Sequence, residues 1–343
     1  MKHYLLPKEG NFYKANLHCH STVSDGQWSP EKIKEEYMKR GYSIVAFTDH
    51  DILIPHNDLT DENFLALNGY EVGLNDDNTS WPQTICCHIG FISLSPDNNK
   101  DPFWNRTKKY LLSHNNKYYA DQADFYEDRP DYIRKYTHKG VSEMMQIGRD
   151  CGFYVIYNHP QWSFENYSDY MGYQGMHAFE IYNHASTVGG WTEYNDSIFD
   201  DFLRAGRYIH NVAADDNHNG RKDSFGGWIN IKAPSLTYEN IAKALLNGDF
   251  YSSEGPSILD AYYDDEDDLV HVKTSPVKQI ALMGESRTSN FINAEGNWAK
   301  DEPVDYVTEC AFHIPENDAY FRIHITDEYG KHADSNPFTN WTK

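Results

Sequence analysis

Two imidazoles one residue apart, His18 and His20, are followed five residues later by Asp25 and Gly26. A strand sends residues i and i+2 to the same face. A strand over 12–20 would therefore end in a two-nitrogen clamp for a metal ion, with Cys19 on the other face. Further along, an apolar run over 43–48 leads at once into Asp49-His50-Asp51. Asn158-His159-Pro160 follows the apolar run 153–157, and Asp215-Asp216-Asn217-His218 follows 208–214. Asp216 and His218 again share a face at period two. The proline biases His159 toward extended backbone. Imidazoles and carboxylates are ligands for Zn, Mn or Fe, and no thiolate is needed. Asp25 before Gly26 also fits a simple turn.

The elements that must carry these residues follow a βα rhythm. The strand over 12–20 leads to a helix opened by Ser29 as N-cap and Pro30 at the first helical position. Lys39 and Arg40 lie in its last turn and Gly41 closes it. Strands are expected over 43–48, 64–72, 85–93, 153–157, 178–182 and 208–214, and helices over 142–150, 196–205 and 237–246. Seven strands, most followed by a helix, predict a (β/α)-type barrel with its polar residues at strand C-terminal ends. The polar, aromatic stretch 94–140 is too long for a structureless loop and is expected to be a partly helical insertion or lid. From about 257 only short strand-like runs recur, over 270–273, 279–283 and 320–325. They predict a small antiparallel β-sandwich. The acidic run 264–268 lacks the Gly-spaced ligand pattern of an EF-hand and reads as a hairpin turn. The expected domains are 1–256 and 257–343.

The chain has 343 residues, including 26 Tyr, and a net charge of −22. That charge disfavours nonspecific binding to nucleic acid or an anionic membrane, which needs positive surface. Five cysteines, an odd number without C-x-x-C spacing, argue for a reducing cytoplasm rather than a disulfide framework. Residues 1–10 contain no apolar signal-peptide core, and no apolar run is long enough to span a bilayer. No G-x-S-x-G elbow, P-loop or dinucleotide fingerprint is present.

The stretches around His18-x-His20 and Thr48-Asp49-His50-Asp51, continued through Glu71, His88, Asn158-His159-Pro160 and Asp216-x-His218, resemble the PHP (polymerase and histidinol phosphatase) superfamily of metal-dependent phosphoesterases. The resemblance covers roughly 12–250. The wording around the motifs is similar to the CehA-like subgroup, which carries a C-terminal β-domain. The resemblance implies a distorted (β/α)7 barrel holding two to three divalent ions, Zn, Mn or Fe. It implies that His18, His20, Glu71 and Asp216 hold one ion, that Glu71 bridges to a second held by His88 and His159, and that Asp25, His50 and His218 hold a third. Some members carry His where this chain has Asp25, which makes the third site harder.

Glu71, His159 and Asp216 are the expected catalytic residues. The implied reaction is hydrolysis of a small phosphorylated metabolite or nucleotide by a metal-activated hydroxide. A 5′–3′ exonuclease and a non-enzymatic metal-dependent binding module are the alternatives, and the acidity weighs against the first. Around the centre, Asp49 and Asp51 are expected to orient imidazoles and Asp215 to be structural. Glu180, Asn183 and His184 are placed at a strand end near the pocket. Cys86 shares the face of His88, and Arg221 and Lys222 lie in a solvated loop. No metal ligand is expected from the β-domain.

Overall fold

Alternating buried side chains build the central sheet. Its first seven strands are β1 (Asn11–Asn16), β2 (Tyr42–Phe47), β3 (Leu65–Asn75), β4 (Cys86–Ser93), β5 (Phe153–Tyr157), β6 (Ala178–Asn183) and β7 (His210–Ala214). On β2, Ile44 and Ala46 pack with Leu65, Leu67 and Ile156 on one face. Val45 and Phe47 pack on the other face against Ile33 and Tyr37 of α1 (Pro30–Met38). Coverage of both faces explains why these strands read as nearly continuous apolar runs. The helix signals act as their chemistry dictates. Ser29 caps α1, and Thr137 caps α2 (His138–Asp150), which starts at His138 rather than 142. α3 spans Asp196–Arg204. Thr237 caps α4 (Tyr238–Asn247), which Gly248 ends in the left-handed conformation at φ 76°. This computed structural model describes residues 1–111, 114–287, 290–298, 301–314 and 318–339.

The order β7-β6-β5-β4-β3-β2-β1 contains all seven strands expected of the distorted (β/α)7 barrel, but among the described residues no ladder pairs β7 with β1 and the sheet is not closed. Pairing is parallel except at β3/β4 and β4/β5. β4 returns directly from β3 without a crossover helix, so it runs against its neighbours. The free edge of β1 is taken by β8 (Trp228–Ala233), with Ile229 opposite Ala15. β8 continues the ladder into β9 (Phe250–Ser253), and the sheet runs on, open, to thirteen strands. Beyond their ends, the chains leaving β1 and β7 meet in an isolated parallel bridge between Cys19 and Asn217. There His20 N–H donates to Asn217 O at 3.0 Å and Asp216 N–H to His18 O at 2.9 Å.

The later strands are β10 (Ile258–Asp264), β11 (Leu269–Val277), β12 (Gln279–Gly284), β13 (Asn290–Asn293), β14 (Val307–His313), β15 (Phe321–Thr326) and β16 (His332–Ser335). All their pairings are antiparallel. β10, β11 and β14 join the N-terminal strand Lys2–Tyr4 in a four-stranded sheet, while β12, β13, β15 and β16 end the long one. Val270, Val272, Ile280, Phe321 and Ile323 belong to the core between them. The acidic run is the hairpin turn from β10 to β11. The long sheet passes from β9 to β16 without interruption, Tyr251 lying opposite Ser335.

Within 94–140 the described residues form two short 3-10 helices, Asn115–Tyr118 and Ala120–Gln122, a two-residue parallel ladder and the first residues of α2, so the segment is partly helical. Trp104, Leu111 and Ala120 pack on Val23 and Ile52. The segment thus lies across the loops that follow β1 and β2, and gains its order from those apolar contacts rather than from helix propensity. Among the described residues no helix is long and apolar enough to cross a membrane.

Candidate metal centre

β1 ends at Asn16, short of the expected 12–20, but the extended chain beyond it still puts His18 and His20 on one side, their Nε2 atoms 3.2 Å apart. His50 follows β2, His159 follows β5, and Asp216 and His218 follow β7. Glu71 and His88 sit within strands, opposite Gly90 and Gly73 on the β3/β4 pair. Because β4 is antiparallel, its opening residues lie at the end where its neighbours finish, and His88 arrives there from the start of a strand. Gly73 makes room for the ring: a side-chain carbon there would stand 3.1 Å from His88 Nε2.

All nine expected residues converge, and Glu71 is at the middle. Its Oε1 lies 3.2 Å from His18 Nε2, 3.3 Å from His88 Nδ1 and 3.2 Å from His159 Nε2. Its Oε2 lies 3.2 Å from His50 Nδ1 and 3.5 Å from His20 Nε2. Ligand-capable atoms group as His18, His20, Glu71 and Asp216; as His50, Glu71 and His88; as His20, Asp25, His50 and His218; and as His18, His159 and Glu180. The first group coincides with one implied by the resemblance. The others differ in that His50 and His20 are shared between groups and Glu180 joins one.

These residues fit divalent ions. His20 Nδ1, Glu71 Oε2, His88 Nδ1 and Asp216 Oδ1 are buried without a hydrogen-bond partner. Orphaned buried polar atoms are costly, and here they belong to side chains of one cluster in which imidazoles alternate with carboxylates. Burial opposes ionisation of Glu71, but the His18 and His88 imidazoles and the bond from His159 outweigh it and hold the carboxyl well below its usual range. Asp216 is buried and Asp25 partly so, and both are likewise held low against that burial, by His18 and His20 at Asp216 and by His218, His20 and His50 at Asp25. The carboxylates are thus charged acceptors. Ring burial pushes His50 down, with His20 adding to the effect.

The backbone is bent to serve the cluster. Asp51, His159 and Asp216 have φ of 61°, 22° and 52°. Left-handed conformations of this kind cost about 1–3 kcal/mol at a non-glycine residue and gather at functional sites. His159 is therefore not extended as Pro160 alone would make it: its N–H is drawn to Glu180 Oε2 at 3.0 Å.

Surrounding groups fix the rings and carboxylates. Glu180 Oε1 is 2.9 Å from His18 Nδ1. Asn158 Nδ2 donates to Glu71 Oε1 at 2.8 Å, and Asn183 Nδ2 to Asp216 Oδ2 at 3.1 Å. Glu193 accepts the N–H groups of Gln161 and Trp162 at 3.1 and 2.9 Å. Asp49 and Asp51 do not orient imidazoles. Asp49 accepts the N–H and O–H groups of Ser21 and Ser24, pinning the loop that bears Asp25. Asp51 accepts from Arg134 Nη1 at 2.5 Å. Asp215 gathers the N–H groups of Phe225, Gly226 and Gly227 and is structural. His184 bonds Tyr182, Cys86 is buried beside His88, and Arg221 and Lys222 are exposed.

Residues the sequence did not single out are His114, whose Nδ1 is 3.5 Å from Asp25 Oδ2, and Glu193. Neither carries a local signal. His114 sits in the polar segment over the site, and Glu193 is an isolated acid.

No family model and no curated protein matches the sequence. Among solved structures, the chain is similar to a two-domain protein from Bacteroides vulgatus containing a predicted PHP-like metal-dependent phosphoesterase, with 15% identity, 94% of each chain covered and a TM-score of 0.46. It is similar to a candidate metal-dependent phosphoesterase from Bifidobacterium adolescentis, with 16% identity over 70% of this chain and 97% of that one, TM-score 0.40. It is also similar to an amidohydrolase from Chromobacterium violaceum, solved with bound sulfate and no metal, with 14% identity over 61% of this chain and 89% of that one, TM-score 0.38.

Proposed function

We propose that this chain is a metal-dependent hydrolase that cleaves the phosphoester of a small phosphorylated metabolite or nucleotide. The observation that carries the reading is Glu71, a fully buried carboxylate with five imidazoles within 3.5 Å. Such a group is stable when it is shared between cations. His18, His20, Glu71 and Asp216, with His88, His159, His50, Asp25 and His218 around them, would hold two to three ions of Zn, Mn or Fe. When bound, such ions lower the pKa of water and neutralise charge on phosphoryl oxygens.

The chain's own groups prepare the site. With Glu180 accepting, the His18 proton sits on Nδ1 and the Nε2 lone pair faces the cluster. Ser163 Oγ lies 3.3 Å from His159 Nδ1 and steadies that ring, so that Nε2 points to Glu71. Asn158 and Asn183 hold the two central carboxylates against rotation. Trp162 packs edge-on against His88 and His159 and is 38% exposed, a flat wall for an organic group next to the phosphoryl position. The net charge of −22 favours a small substrate over a nucleic acid strand or an anionic membrane. The five unpaired cysteines fit a reducing cytoplasm.

Protein purified without chelator should contain stoichiometric transition metal by elemental analysis. It should hydrolyse members of a panel of phosphomonoesters and cyclic nucleotides faster than single-stranded DNA. Preferential cleavage of the DNA would favour the exonuclease alternative, and metal-loaded protein without turnover of any ester would favour a binding module. Absence of metal after reconstitution would sink both the enzyme and the metal reading.

A further inference from the structure

We infer that His114, carried by the segment laid over the site, is a ligand of the ion assigned to Asp25, His50 and His218. The inference rests on the metal reading above. Asp25 Oδ2 has three imidazole nitrogens around it: His218 Nε2 at 3.4 Å, His114 Nδ1 at 3.5 Å and His50 Nε2 at 3.8 Å. Donor atoms held at about 2.0–2.1 Å from one ion in tetrahedral array stand ~3.3 Å from each other. The distances from Asp25 to His218 and His114 are close to that spacing, and His20, Asp25, His50 and His218 offer ligand atoms within 4.8 Å of one another. His20 Nδ1, buried and without a partner, lies 3.9 Å from Asp25 Oδ1 and aims into the same group.

His114 is also held in place by its neighbours. Its ring stacks on His50 with centroids 5.1 Å apart and planes at 21°. Asn115 N–H donates to Ser24 O at 3.0 Å, next to Asp25 in sequence. The fully buried Asn116 donates through Nδ2 to His50 O at 2.7 Å. The segment is therefore tied by consecutive residues to the two loops that bear Asp25 and His50, and His114 projects between them. An aspartate gives this group a harder donor than an imidazole would. His114 supplies a nitrogen donor from a distant part of the chain, and closure of the segment and loading of this ion become one event.

The test is a calorimetric titration of the metal-free full chain with Mn²⁺ and with Zn²⁺, with elemental counting of bound ions. The wild type is expected to take up three ions. His114→Ala should keep two with unchanged affinity and bind the third at least tenfold more weakly. His114→Asp, which returns a donor atom to the same place, should recover most of the loss, with circular dichroism as folding control for both variants. Three ions bound by His114→Ala with wild-type affinities would overturn the assignment while leaving the metal centre intact. So would a wild type that binds only two ions, or a folded His114→Ala that binds none. A wild type that binds no ion would overturn the metal reading and this inference together.

Discussion

Glu71 is a strand residue opposite Gly90, buried at a place where a carboxylate without cations would be expensive. Glu71→Gln keeps its shape and removes the charge. Any ions on its two sides would repel each other with less compensation, and one oxygen acceptor would become an N–H donor facing imidazole nitrogens. Loss of a single charge-stabilising group costs about 10²–10³ in rate. The variant should fold, hold less metal and turn over phosphoester at least a hundredfold more slowly, as elemental analysis and rates on one preparation will show. Near-normal values for both would place Glu71 outside the chemistry. His18 and His20 were legible in sequence because a period of two in an extended chain determines facing, whereas Asp216, at φ 52°, reaches the cluster through a left-handed turn that the same pattern does not reveal. His114 and Glu193 were not, because their positions depend on hydrogen bonds to residues far away in sequence.

At the level of elements, the turn from His159 to Glu165 shows how a buried acid positions a loop. Tyr136, Tyr157 and Tyr173 hydroxyls all donate to Glu165, yet burial dominates and pushes its carboxyl up to about 7. A folded-state pKa above the unfolded value means that the group's contribution is complete below about 4.5 and is lost as pH rises through about 7. Glu165→Gln cannot ionise. Between pH 4.5 and 8, unfolding in urea should therefore show the wild type losing on the order of 3 kcal/mol relative to the variant. Parallel pH curves would show that the carboxyl is not strained. Element limits were read well where caps decide them, at Ser29, Thr237 and Gly248. The direction of β4 was not, since apolar runs look alike in parallel and antiparallel strands. β8 was missed because its alternation (Trp228, Asn230 and Lys232 against buried Ile229, Ile231 and Ala233) is that of a half-exposed strand outside the βα rhythm.

Across the whole molecule, β8 and β9 carry the sheet on from β1 into the C-terminal strands, and that continuity has a polar clamp. Arg322 on β15 is fully buried, with Nε 2.9 Å from Asp200 on α3 and Nη1 2.5 Å from Asp334 on β16. Tyr194 and His324 complete the bonds to Asp334. Burial works against the Asp334 charge, but His324 and Arg322 prevail and hold its carboxyl at about 2. A depressed folded pKa gives stability that is present above about 3.8 and lost as pH falls through about 2, roughly 2 kcal/mol in this case. Arg322→Met removes the buried cation shared by two carboxylates, leaving Asp200 with Arg204 alone and Asp334 with no guanidinium. Breaking a buried pair in this way costs about 3–5 kcal/mol, which for a chain of this length lowers Tm by about 5 °C. The deficit of the variant should shrink as pH falls, because without the guanidinium Asp334 protonates more readily and the charge that lacks its cation disappears. Adding Asp334→Asn to Arg322→Met should restore part of the loss, since a neutral amide needs no counter-charge. Calorimetry of the three proteins at pH 7 and pH 4 decides: a single variant as stable as the wild type at both would show that apolar packing alone joins α3 to the C-terminal strands.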